Sequence, residues 1–96
     1  MILVVLRYPA LTGTVDELRA EKEQVASVFE QIPGLIDKTW AMDEFAGRGI
    51  SVSHFEDRTA ADAWFGSDRR REFRRTHGAT IEFSEVGAVA VATPLR

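Results

Sequence analysis

The chain has 96 residues, a formal net charge of −3, 45% hydrophobic residues and no cysteine. A single domain of this size buries roughly 60–65% of the surface that its unfolded chain exposes, and the apolar share is that of a globular protein, not a disordered one. The missing cysteines exclude disulfides and thiolate chemistry, the acidic balance argues against a nucleic-acid partner, and two histidines lend no support to a metal site.

Ile2 to Tyr8 is aliphatic and β-branched with no helical period, and reads as a strand. Ile2, Val4, Leu6 and Tyr8 fall on one face and Leu3 and Val5 on the other, so both faces are expected to be covered. The run is too short to span a bilayer and has no basic segment before it, so a soluble, cytoplasmic protein is expected. Pro9 to Gly13 reads as a loop. Thr14 and Glu17 form a Thr-x-x-Glu capping box that starts a helix, with Leu18, Val25, Val28, Phe29 and Ile32 as its apolar stripe. Pro33-Gly34 ends it.

Leu35 to Met42 and Gly49 to Phe55 read as two strands joined by a hairpin over Asp43 to Arg48. Alternation sets Ile36, Lys38, Trp40 and Met42 against Leu35, Asp37, Thr39 and Ala41, and Ile50, Val52 and His54 against Ser51, Ser53 and Phe55. Thr59 with Asp62 is expected to cap a second helix, which bends or restarts at Gly66-Ser67 and stops at Gly78. Thr80 to Val91 completes the chain as one strand, or as two broken at Gly87. The order β-α-β-β-α-β predicts one ferredoxin-like α+β domain over residues 1–96, with one antiparallel sheet. Helices cover one face of such a sheet. The doubly apolar first strand therefore predicts a homodimer packed sheet to sheet.

Few residues here carry chemistry. Trp64 and Trp40 read either as core aromatics or as walls for a flat aromatic ligand. His54, in line with Val52 and Ile50, is either a satisfied core or interface histidine or, facing a cavity, a general base. His77 lies at a helix end, where the dipole favours a cation. Arg69, Arg70, Arg71, Arg74 and Arg75 are interleaved with Asp68, Glu72 and Phe73, which favours a solvated helix over an anion site. There is no phosphate loop, no nucleophile elbow and no His-Glu-x-x-His motif.

Pro33-Gly34-Leu35 followed by Lys38-x-Trp40, a Gly-containing hairpin and Phe55-x-Asp57 before an Ala-rich helix resembles the YdhR-like monooxygenases. These belong to the dimeric α+β barrel, or antibiotic biosynthesis monooxygenase, superfamily. Ala63-Trp64-x-x-Ser67-Asp68 is also similar to the second helix of haem-degrading and of quinone-forming members, in which the Trp shapes the pocket. The haem-degrading members add a His ten residues after that Trp, where this chain has Arg74, and an Asn, which this chain lacks. The quinone-forming resemblance implies a cofactor-independent oxygenase for a small aromatic or polyketide-like substrate. On that reading His54 is the base, Trp40, Trp64 and Tyr8 are walls, and Arg7 or His77 steadies an oxyanion. A cyclase or isomerase of the same fold, or a non-catalytic ligand-binding domain, is the alternative.

Overall fold

The computed structural model describes residues 1–77 and 82–92. Strand β1 (Ile2–Tyr8), helix α1 (Val15–Glu30), strands β2 (Leu35–Asp43) and β3 (Arg48–Phe55), helices α2 (Arg58–Phe65) and α3 (Asp68–His77), and strand β4 (Phe83–Ala88) follow in that order. The sheet runs β2-β3-β1-β4 with every neighbouring pair antiparallel. This is the ferredoxin-like arrangement, with the second helix divided in two. Thr80 and Ile81 of the expected last strand, and Gly78, lie outside the described residues. Gly87 does not break β4; it pairs with Leu3 inside the strand.

Local chemistry accounts for the boundaries. The Thr14 hydroxyl accepts from the Glu17 backbone N–H at 3.2 Å and donates to the Glu17 carboxylate at 3.2 Å, opening α1 as the capping box predicts. The second helix begins earlier than expected. Asp57, not Thr59, is its cap, and its carboxylate accepts from the Ala60 N–H at 2.8 Å. The break at Gly66-Ser67 is a joint. The Ser67 hydroxyl donates to the Trp64 carbonyl at 2.6 Å and accepts from the Arg70 N–H at 3.1 Å, so one side chain closes α2 and caps α3.

Gly34 is required twice over. Its φ is +78°, and a Cβ built on it would meet the Ala60 Cβ at 2.5 Å, so the chain after α1 passes directly against α2. The hairpin turns as predicted, with the Asp43 carboxylate accepting from Phe45 N–H at 3.0 Å and Ala46 N–H at 3.1 Å.

One irregularity changes the expected phase of β2. Leu35 pairs with Phe55 and Asp37 with His54, which leaves Ile36 as an extra, bulged residue. Leu35 therefore shares a face with Lys38 and Trp40, where strict alternation would place Ile36. The helices lie on that same face. The core there gathers Val4, Leu6, Phe55, Ile32, Ala61 and Trp64, with Phe29, Val28 and Leu35 packed around it. The opposite face carries Leu3, Val5, Ile50 and Val52 and, among the described residues, no helix. Among the described residues no helix is long and apolar enough to cross a membrane.

Candidate active site

Between the sheet and the helices lies a cavity of about 410 Å³. Its floor is β1 and β2 (Leu6, Tyr8, Lys38, Trp40); its walls are α1 (Leu18, Lys22, Phe29) and the α2–α3 pair (Trp64, Phe65, Arg70, Phe73, Arg74, His77). Glu82, just before β4, completes the rim.

The aromatic part is organised around Phe29. Its ring meets Trp40, Trp64 and Phe73 edge to face, with centroids at 5.0, 6.2 and 5.3 Å. Phe73 in turn lies 4.6 Å from the His77 ring. Ser51 and Ser53 are fully buried on the helix face of β3 and fill little of the space a Val or Leu would take. Each is satisfied: the Ser51 and Tyr8 hydroxyls are 3.3 Å apart, and the Ser53 hydroxyl accepts from Lys38 Nζ at 3.1 Å.

Lys38 is the chemically distinctive group. Its ammonium lies 5.1 Å from the Phe29 centroid and 5.4 Å from that of Trp40. Burial, reinforced by the nearby Arg70 and Lys22 charges and opposed by Glu82, pulls it down to about 8. Glu82 itself is held from two sides, by Arg70 and by Arg74 Nη1 at 2.7 Å. Burial also pushes the Tyr8 phenol above its ordinary value despite the Ser51 hydrogen bond, so Tyr8 stays neutral.

The structure brings Tyr8, Trp40, Trp64 and His77 together around this cavity. His54 and Arg7 are elsewhere. His54 is on the helix-free face of the sheet, its Nδ1 2.6 Å from Asp37 Oδ1, and it does not line the cavity. The reason is the phase of β3: Ser51, Ser53 and Phe55 turn toward the helices, so Ile50, Val52 and His54 turn away. Arg7 shares that outer face, donating to Glu85 at 2.9 Å and bordering a separate, more open hollow with Arg48 and Phe83. A general-base role for His54 and an oxyanion role for Arg7 therefore have no geometry in this cavity.

Sequence reasoning missed Lys38, Arg70 and Glu82. The signal for Lys38 was a lone cation sharing a strand face with Trp40. The arginine run is a solvated face only in part. Arg69, Arg71 and Arg75 are exposed and bond to Gln31, Asp68 and Glu72, whereas Arg70 and Arg74, one turn apart, face the cavity.

A ferredoxin-like sheet with an aromatic, partly cationic cavity under its helices defines an α+β domain with room for a small molecule between sheet and helices. The chain belongs to the antibiotic biosynthesis monooxygenase family, whose profile matches residues 1–76. No curated protein matches it. Among solved structures it is similar to a mutant form of SnoaB, a cofactor-independent oxygenase from Streptomyces nogalater, at 13% identity with a TM-score of 0.71, covering 97% of this chain and 96% of that one. It is also similar to the ActVA-Orf6 monooxygenase of Streptomyces coelicolor in complex with nanaomycin D, at 15% identity and a TM-score of 0.73 over 99% and 92% of the two chains. A third is a mutant form of MhuD with two manganese protoporphyrin IX molecules bound per active site, at 18% identity and a TM-score of 0.75 over 98% and 99%. At these identities the likeness is one of fold.

Proposed function

We propose that this chain is a cofactor-independent monooxygenase acting on a planar, electron-rich aromatic or polyketide-like substrate, which it binds and activates as an anion. The observation that carries this reading is Lys38: an amine held near pH 8 inside an aromatic cage, with Lys22 and Arg70 beside it. The family membership and the names of SnoaB and ActVA-Orf6 support the reaction class.

In this reading a substrate of anthrone or naphthol type slides between Trp40, Trp64 and Phe73. The unprotonated Lys38 amine takes its acidic proton, and the resulting ammonium holds the anion in place. The carbanion adds dioxygen, the peroxide is protonated, and loss of water leaves the carbonyl of a quinone. Tyr8 and His77 border the ring and keep water out. The free-enzyme rate, kcat/KM, is expected to rise with pH through about 8 as Lys38 loses its proton.

The helix-free face is the place for a second copy of this chain, sheet against sheet, which makes the working unit a homodimer. The Pro33-Gly34-Leu35 and Lys38-x-Trp40 motifs support a YdhR-like position within the family.

Oxygen uptake by the chelator-treated protein, with anthrone-like and naphthol-like compounds, tests the proposal. Uptake that disappears in Lys38→Met is the expected result. Conversion without uptake would replace the oxygenase with a cyclase or isomerase acting through the same amine. Tight binding with no conversion of any compound would leave a ligand-binding domain.

A further inference from the structure

Lysine is used sparingly in this chain, and only in one place. Of the 12 lysines and arginines only Lys22 and Lys38 are lysine, and both line the cavity. Everywhere else a positive charge is needed, the chain has arginine. The two residues differ chemically: a guanidinium never becomes neutral in a protein, whereas an ammonium can lose its proton and expose a nucleophilic lone pair. A lysine whose task was only to attract an anion could be an arginine, as Arg70 and Arg74 are.

The two lysines are not equivalent. Lys22 is paired with Glu21 at 3.2 Å. Among the described residues Lys38 has no carboxylate partner; its one hydrogen bond goes to the neutral Ser53 hydroxyl, and two aromatic rings flank it. The ionisable groups around the cavity are Glu21 and Lys22 from α1, Arg70, Arg74 and His77 from α3, Tyr8 from β1 and Glu82 before β4. Glu82 is engaged by Arg70 and Arg74, so the field that reaches Lys38 is dominated by cations. A desolvated amine beside other cations is the setting in which lysines attack carbonyl carbon.

We propose that Lys38 is a nucleophilic amine that captures the carbonyl group of a planar aromatic aldehyde or ketone as an imine within this cavity. The free amine adds to the carbonyl carbon, a proton passes from nitrogen to the new alkoxide oxygen, and water leaves as the C=N bond forms. Trp40, Trp64 and Phe73 supply the faces that hold the ring while its carbonyl points at Nζ. No oxidant takes part, so the activity stands apart from any oxygen chemistry at the same site.

The test is reductive trapping of the whole protein with 2-naphthaldehyde and cyanoborohydride at pH 8, read by intact mass and peptide mapping. Labelling at Lys38 is expected to run at least tenfold faster than at Lys22, because about half of an amine near 8 is free at that pH and Lys22 is tied to Glu21. The preference is expected to vanish in concentrated urea and to be absent in Lys38→Arg, with the α-amino group counted separately. Equal labelling of the two lysines in the folded protein overturns the proposal. So does a preference that survives urea, since it would then come from local sequence and not from the cavity.

Discussion

The two faces of the sheet each mix apolar and polar residues, and they differ in what β3 gives to each. The face under the helices carries Ser51, Ser53, Tyr8 and Lys38 beside Val4, Leu6 and Phe55, while the helix-free face presents Leu3, Val5, Ile50 and Val52 beside Arg7, Asp37 and His54. An apolar strand face normally marks the core. Here the central strand gives its small polar side chains to the interior, where Ser51 meets the Tyr8 hydroxyl and Ser53 accepts from Lys38, two groups that do line the cavity. The apolar side is then free for a flat partner. With the function and the homodimer proposed above, burial follows the demands of a site on one face and of an interface on the other.

The sharpest way to break this contrast is at Trp64, which is 7% exposed and belongs both to the core and to the cavity wall. Trp64→Ala is expected to cost about 3–5 kcal/mol in urea unfolding and to remove substrate binding together with it. A loss under about 1 kcal/mol would show that the wall is not part of the core.

Lys38→Met separates the two roles. Turnover is expected to fall by about a hundredfold or more, while stability at pH 7 rises by about 1–3 kcal/mol as a poorly solvated charge is removed. The pH dependence has a definite sign. In the folded protein Lys38 sits at about 8, below its ordinary 10.5, so between those values the unfolded chain binds the extra proton. Wild-type stability therefore climbs with pH over that window, and the advantage of the variant is largest below pH 8 and fades toward 10.5. A variant less stable than wild type at pH 7 would sink this account.

On the outer face, Val52→Asp is expected to convert the proposed homodimer to monomer in sedimentation velocity while leaving the cavity intact. An unchanged dimer would remove the sheet-to-sheet arrangement. His54→Ala should change oxygen uptake by less than about twofold and stability by about 0–1 kcal/mol, because its Asp37 partner is 59% exposed. A collapse of uptake in a folded, dimeric variant would return the base to His54 and displace Lys38. Smallest of all is Arg7→Ala, expected within about 0.5 kcal/mol in thermal unfolding, since both it and Glu85 are largely exposed.

What the sequence made legible was local. The Thr14 cap, the Asp43–Arg48 hairpin and the Gly66-Ser67 break each rest on residues within a few positions of one another, and each stands where it was expected, whereas α1 stops at Glu30 with Gln31 as its cap, short of Ile32 and Pro33-Gly34. Capping of α2 was misread because Asp57 and Thr59 are both good caps two residues apart, and only backbone geometry chooses between them. The phase of β3 was illegible for a deeper reason. Its apolar face looks like a core face, and the partners that satisfy the inward serines, Tyr8 and Lys38, lie on the two neighbouring strands. Lys38 was visible as an anomaly, but its acidity comes from burial and from Arg70 and Lys22 on two other elements, which no reading of β2 alone contains.

The bulge at Ile36 has a consequence for how this strand can change over time. The extra residue sits between Leu35, which packs against the core, and Lys38, which faces the cavity, and its own side chain is 50% exposed. Deleting it would leave Leu35, Asp37, Lys38 and Trp40 on the faces they already occupy, in ordinary alternation. Chain length at this point is therefore a nearly neutral character, free to drift by one residue in a lineage without moving any side chain from core to solvent. A single-residue deletion from Lys38 to Trp40 would instead put the residues between it and the bulge out of step with the rest of the strand. Ile36 works as an expansion joint, and it separates the part of β2 that holds the fold from the part that is open to new chemistry.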